Sequence, residues 1–103
     1  MRDLAFDGEG RLHCPVCNET MGTHLDEVTM MARPDGEDGP LVARHLDDRG
    51  QLGDDTAAPV DSELGEGRRH RIVIEGWCEN GGHRFALIFT QHKGETYFEA
   101  KVL

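Results

Sequence analysis

The chain has 103 residues, of which 37% are hydrophobic and 6% are aromatic, and its formal net charge is −9. A single domain of this length with so few aromatic residues gains little margin from hydrophobic burial alone, so we expect a second source of stability. No run of about 18 apolar residues is present, which argues against a membrane-spanning helix. The first ten residues lack the apolar stretch of a signal peptide, and we therefore expect a cytoplasmic protein.

The negative charge is concentrated in one segment. Residues 33–67 contain ten acidic residues and three arginines, so this segment carries seven of the nine net negative charges. It is also rich in glycine and proline, a composition typical of loops. We therefore predict one domain over residues 1–103 with an acidic insert at 33–67, either a mobile loop or a solvated spacer. Residues 41–47 within it are a candidate short edge strand.

Three other segments, 25–30, 68–78 and 83–102, alternate apolar and polar residues. A period of two is typical of half-buried strands. The last segment predicts a hairpin, because Gly94 in its centre can adopt the positive φ that a tight turn requires. We expect a mainly β fold with a small antiparallel sheet of three to five strands and no helix.

The three cysteines are too few, and odd in number, for a disulfide framework. Cys14 and Cys17 are spaced C-x-x-C, and a turn of this length directs both sulfurs to one metal ion. Pro15 restricts the backbone of that turn, and Asn18 tolerates the positive φ that often follows it. A redox pair, or thiols unrelated to any metal, are the alternatives for these cysteines.

A second pair of candidate ligands lies far along the chain. Cys78 and His83 are separated by four residues that include two glycines, which allow a short loop to wrap around an ion. With the first pair they predict one structural zinc ion held by Cys14, Cys17, Cys78 and His83. His24 is the second choice for the fourth ligand, and a carboxylate or a water molecule also remains open.

The sequences around these ligands, LHCPVC at 12–17 and WCENGGHRFALIFTQHKGETY at 77–97, resemble small zinc-ribbon proteins of bacteria and their phages. Those proteins combine an early CPxC with a late WCExCGHxF and QHKGxT. The resemblance covers about 12–30 and 70–100 and leaves the acidic segment unmatched. It implies a zinc-ribbon type of sheet and a phage or mobile-element origin, in which case the location would be the host cytoplasm. By the same pattern Gly81 replaces a cysteine, and His83 is the natural substitute ligand.

A zinc ion with four protein ligands has no open position for water, so we expect a binding module for an unidentified protein rather than an enzyme. A zinc enzyme with Glu75 or Glu79 as base is the less favoured reading. The main alternative is nucleic-acid binding through basic and aromatic residues on exposed sheet. The residues for that alternative are Arg68, Arg69, Arg71, Arg84, Lys93 and Trp77. Because the edges of the predicted sheet are exposed, a homodimer is a further alternative.

Overall fold

The computed structural model describes residues 4–33, 42–53, 70–92 and 94–103. All regular structure in these ranges is β-strand, which confirms the prediction of a mainly β fold. The strands are β1 (Thr23–Ala32), β2 (Val42–Leu46), β3 (Leu52–Gly53), β4 (His70–Cys78), β5 (Arg84–His92) and β6 (Glu95–Val102). They form one antiparallel sheet in the order β3-β2-β1-β4-β5-β6. None of the described ranges contains a helix long and apolar enough to cross a membrane.

Two of the six strands come from the acidic segment. β2 lies where the sequence predicted a short strand, and it pairs with β1 so that Leu46 is opposite Val28. The sheet has six strands in the described residues, one more than the upper limit of the predicted three to five, and β3 is the additional strand. Its two exposed residues are too short a run for an alternating pattern to be visible in the sequence. Residues 42–53 therefore extend the sheet beyond β1, while the rest of the segment after residue 33 lies outside the described residues.

The central strands β1, β4 and β5 bury one face in an apolar cluster. Val73 on β4 is opposite Thr29 on β1 and Ile88 on β5, and residues two positions apart on each strand share this face. The cluster consists of Met31, Ala43, Val73, Ala86 and Ile88, all of which are nearly inaccessible to solvent. We refer to this side of the sheet as the first face.

The first face also buries charged and polar groups. Glu75 is only 6% exposed and lies opposite Glu27. Burial, followed by the charge of Glu27, raises the pKa of Glu75. His45 is hydrogen-bonded through Nε2 to Glu27 at 3.0 Å and through Nδ1 to the Thr29 hydroxyl at 2.7 Å. These contacts link β1 with β2, while the two opposing carboxyl groups oppose folding when both are ionised.

The opposite side of the sheet, the second face, carries a separate cluster. Phe85 and Leu87 of β5 pack there with Cys78 at the end of β4 and with Cys14 of the N-terminal segment. Gly76 on β4 leaves no room for a side chain, because a Cβ atom there would collide with the His24 carbonyl of β1 and lie 2.9 Å from Phe85 Cζ. The second face is thus the side of the sheet on which the cysteines meet.

The N-terminal segment, residues 4–22, has almost no sheet structure of its own, since its isolated bridge joins Phe6 with Leu12. Leu12 and Val16 pack against the cluster of the second face. The backbone of Gly22 accepts a hydrogen bond from the amide of Glu79 at 2.9 Å. Cys14 and Cys17 of the same segment also lie in or against this cluster, so the segment is attached to the sheet through its cysteine-containing part.

Candidate metal centre

The first half of the site is a closed turn, the first knuckle (residues 14–19). The Asn18 amide donates to the Cys14 carbonyl at 2.8 Å, and the Cys14 amide donates to the Glu19 carbonyl at 2.8 Å. Asn18 has a φ of 67°, the positive value that the sequence predicted for it. The Val16 amide lies 3.4 Å from Cys14 Sγ, so the turn wraps its backbone donors around that sulfur.

The second half, the second knuckle (residues 78–83), repeats this backbone pattern. The Gly82 amide donates to the Cys78 carbonyl at 3.0 Å, and the Cys78 amide donates to the His83 carbonyl at 3.0 Å. Gly82, four residues after the cysteine, has the same φ of 67° as Asn18 in the first knuckle. The two turns therefore share their closing hydrogen bonds and the φ of their fourth position, but they differ at the third position, where Gly81 has a φ of 112° and Cys17 has no positive φ.

The two knuckles differ in where the second ligand stands. In the first knuckle it is Cys17, three residues after Cys14. In the second knuckle that third position is Gly81, which has no side chain, and His83 at the fifth position supplies the ligand. A Cβ atom on Gly81 would lie 3.1 Å from His83 Nδ1, so the imidazole is packed close against this backbone.

The four predicted ligand atoms converge. Those of Cys14, Cys17, Cys78 and His83 all lie within 4.8 Å of one another and could hold a metal ion. A tetrahedral zinc ion with ordinary bond lengths places two sulfurs roughly 3.8 Å apart, and a sulfur and a nitrogen roughly 3.5 Å apart. The Cys17 and Cys78 sulfurs are 3.7 Å apart, and Cys14 Sγ is 3.3 Å from His83 Nε2. Both spacings fit such an ion.

The electrostatics of the three thiols also favour a cation. Burial works against ionisation of Cys14, but hydrogen bonds from the amides of Cys17 and Val16 and from His83 outweigh it and lower the pKa of Cys14 to about 7. The Glu19 amide favours the thiolate of Cys17, yet desolvation and the adjacent sulfurs outweigh it and raise the pKa of Cys17. Three thiolates this close repel one another, and a divalent metal ion removes that repulsion.

One contributor to the site was missed by sequence reasoning. The side-chain amide of Asn80 lies 3.5 Å from Cys78 Sγ and donates to the Met21 carbonyl at 2.7 Å. A donor to a ligating sulfur helps to hold its orientation and reduces its charge. Asn80 also connects the second knuckle to the end of the N-terminal segment. Its place two residues after a candidate ligand was the only signal for it in the sequence.

The second-choice ligand, His24, lies outside the cluster. Its ring stacks on Trp77 with a centroid separation of 4.3 Å and an interplanar angle of 11°. Its Nε2 is 3.1 Å from a carboxylate oxygen of Glu79. Glu79 is thus paired with His24, and Glu75, the other base considered for an enzyme, is on the first face, away from Cys78.

The basic residues of the nucleic-acid reading fall into two groups. Arg68, Arg69 and Lys93 lie outside the described residues. In the described part, Arg84 contacts both carboxylate oxygens of Asp26 at 3.2 and 3.3 Å. Arg71 donates from Nε to the Thr90 hydroxyl at 3.1 Å. Trp77 is stacked on one side by His24 and lies directly opposite Arg84, while Arg71 lies on the same face toward the other end of β4.

The site consists of three sulfurs and one imidazole nitrogen brought together from two turns that close with the same backbone hydrogen bonds. Comparison with known proteins adds no relative from which a role could be transferred. No protein-family model, curated protein or solved structure matches this chain.

Proposed function

We propose that the chain is a small zinc-binding module in which Cys14, Cys17, Cys78 and His83 hold one structural Zn²⁺ ion. The observation that carries this proposal is the convergence of the four ligand atoms within 4.8 Å. Thiolates and imidazole in a tetrahedral arrangement are the ligands of zinc, whereas magnesium and calcium require oxygen ligands.

The ion would join the N-terminal segment to the sheet. The first knuckle belongs to that segment, and the second knuckle connects β4 to β5. Binding energy at a site that does not exist in the unfolded chain is folding energy. Because the described residues form two small apolar clusters, we expect zinc to be a major part of the stability.

The proposed role is structural and directed at a protein partner. Four protein ligands leave no position on zinc for a water molecule. A net charge of −9 and the pairing of Arg84 with Asp26 disfavour a polyanion. Three apolar side chains, Val28, Met30 and Leu46, are 37%, 48% and 43% exposed on adjacent positions of the second face, which favours contact with protein.

The metal is tested by measuring zinc content in protein purified without added zinc, together with thermal unfolding before and after chelation. We expect one zinc ion per chain and a large fall in melting temperature when it is removed. His83→Ala is expected to weaken zinc binding strongly. His24→Ala is the matched control, because His24 is paired with Glu79 outside the cluster, and it should keep its zinc.

Two results would contradict the proposal in different ways. A metal-free protein whose melting is unchanged by chelator would remove the zinc site altogether. Loss of zinc in His24→Ala, with full retention in His83→Ala, would show that the fourth ligand is assigned to the wrong histidine.

The type of partner is tested with a single-stranded oligonucleotide at low ionic strength. We expect no binding by the zinc-loaded protein. Binding that weakens steeply with added salt would instead support the nucleic-acid reading, because such a slope reports counterion release from phosphates.

A further inference from the structure

The two ends of the sheet are unequal. One end is β3, with two residues, and the other is β6, with eight. β6 pairs with β5 over eight consecutive positions without a register shift, and no strand of the described residues pairs with its outer side. It contains no proline and no bulge, two of the devices that prevent a long edge from pairing with another strand, and its charged residues have both signs. β6 is thus a template for an additional strand.

The groups that β6 offers at its outer edge follow from its hydrogen bonds. The Leu103 amide donates to the Arg84 carbonyl at 3.0 Å, so odd-numbered residues of this strand turn their backbone groups toward β5. Backbone groups of successive residues in an antiparallel strand point to alternate sides. Phe98, Ala100 and Val102 therefore turn their N–H and C=O groups outward.

We propose that β6 pairs with β6 of a second copy of this chain, antiparallel and about a twofold axis at Ala100, to form a continuous sheet across a homodimer. In this register Glu99 lies opposite Lys101 of the partner subunit, and Phe98 lies opposite Val102 of the partner subunit. Each of these pairs occurs twice because of the twofold axis.

The charge pattern of β6 selects this register. Outward-facing residues must lie opposite one another, so allowed registers differ by two residues, and each such step moves the twofold axis by one residue. An axis at Glu99 would place two carboxylates directly opposite each other, which is destabilising. An axis at Phe98 would pair Glu95 with Lys101 but leave Glu99 without an opposite charge. The axis at Ala100 gives Glu99 and Lys101 opposite charges at the positions where side chains approach most closely.

The side chains needed for this pairing are accessible. Those of Glu99 and Lys101 are 51% and 39% exposed and lie 4.0 Å apart within one chain. Val102 is 53% exposed, and the proposed pairing would place it against an aromatic ring. Because each chain carries a net charge of −9, repulsion opposes association, and we expect the dimer to form in a concentration-dependent way.

The test is sedimentation equilibrium of the zinc-loaded full chain over a range of concentrations up to about 1 mM. We expect the average mass of the wild type to rise from one chain toward two. Glu99→Lys and Lys101→Glu should each hold the protein at one chain, because each places like charges opposite each other. The double variant Glu99→Lys/Lys101→Glu restores opposite charges and should dimerise again.

Arg49→Glu is the matched control, since it changes the net charge by the same amount as Lys101→Glu but lies in the exposed turn between β2 and β3. It should dimerise like the wild type. Circular dichroism and zinc content of each variant separate loss of pairing from loss of fold or metal. This proposal rests on the edge of the sheet and not on the zinc site, so the two fail independently.

A wild type that stays a single chain at every concentration would overturn the proposal. A folded double variant that remains monomeric would overturn the axis at Ala100. Amide exchange of the wild type gives a measurement that needs no variant. The amides of Phe98, Ala100 and Val102 should become protected as concentration rises, and unchanged exchange at these three positions would also contradict the pairing.

Discussion

The first and second knuckles close with the same backbone hydrogen bonds but differ at the third position, which is Cys17 in one and Gly81 with a φ of 112° in the other. Both close with hydrogen bonds to the residues four and five positions after the cysteine, and both have a φ of 67° at the fourth position. Yet the second ligand stands at the third position in one and at the fifth in the other. The difference teaches that the turn is set by hydrogen bonds and φ angles, while the side chain that completes the shell can come from more than one place.

The largest effect is expected from the first residue of each knuckle. Cys14 and Cys78 are 2% and 0% exposed and occupy equivalent positions. Cys14→Ser and Cys78→Ser should each lose zinc and destabilise the fold by more than about 4 kcal/mol, the range typical of a lost structural metal. Zinc content and chemical unfolding check this. If only one of the two variants lost its metal, the equivalence of the knuckles would be wrong.

The next effect is expected at Gly81, where the knuckles differ. Gly81→Ala would place a Cβ atom 3.1 Å from His83 Nδ1 on a backbone with a φ of 112°. The imidazole must shift to avoid it, and we expect zinc affinity to fall roughly tenfold, equal to about 1.4 kcal/mol. Competition with a chromogenic chelator measures the change. Unaltered affinity would show that the position of the His83 ring does not depend on the absence of a side chain at Gly81.

Gly82→Ala is the matched comparison for Gly81→Ala, because no atom lies within 4 Å of a Cβ placed at Gly82. The cost should come only from its positive φ, about 1 kcal/mol of unfolding free energy. Zinc affinity measured by the same competition should stay close to that of the wild type. A tenfold loss of affinity here would mean that strain in the turn, rather than contact with His83, controls the metal.

The smallest effect is expected for Asn18→Gly, which gives the first knuckle the residue found at the equivalent position of the second. Glycine adopts this φ without steric cost, so stability should change by less than about 0.5 kcal/mol. The Asn18 carbonyl, which is hydrogen-bonded to His13 Nδ1 at 2.8 Å, is kept in the variant. If the unfolding free energy fell by more than about 1 kcal/mol, the Asn18 side chain would itself stabilise the fold.

The sequence alone determined the features that depend on neighbouring residues. The alternation around Val73 predicted a strand because side chains of a strand point to opposite faces in turn. The positive φ values of Asn18 and Gly94 followed from which residues tolerate that conformation. Cys14 and Cys17 were identified as a pair because their spacing alone brings two sulfurs to one side of a turn.

Only the tertiary structure decided the features that depend on distant residues. The sequence predicted a short strand at 41–47, but only the structure shows that β2 pairs with β1 and that β3 pairs in turn with β2. The sequence favoured His83 over His24 as the fourth ligand, and the register of β1 on β4 shows why His24 stays away from the cysteines, since it places His24 opposite Trp77. The two knuckles meet because the sheet brings the end of β4 next to the N-terminal segment, which leads into β1. Pairing across such distances in the chain depends on the whole arrangement of strands, and local propensity carries no information about it.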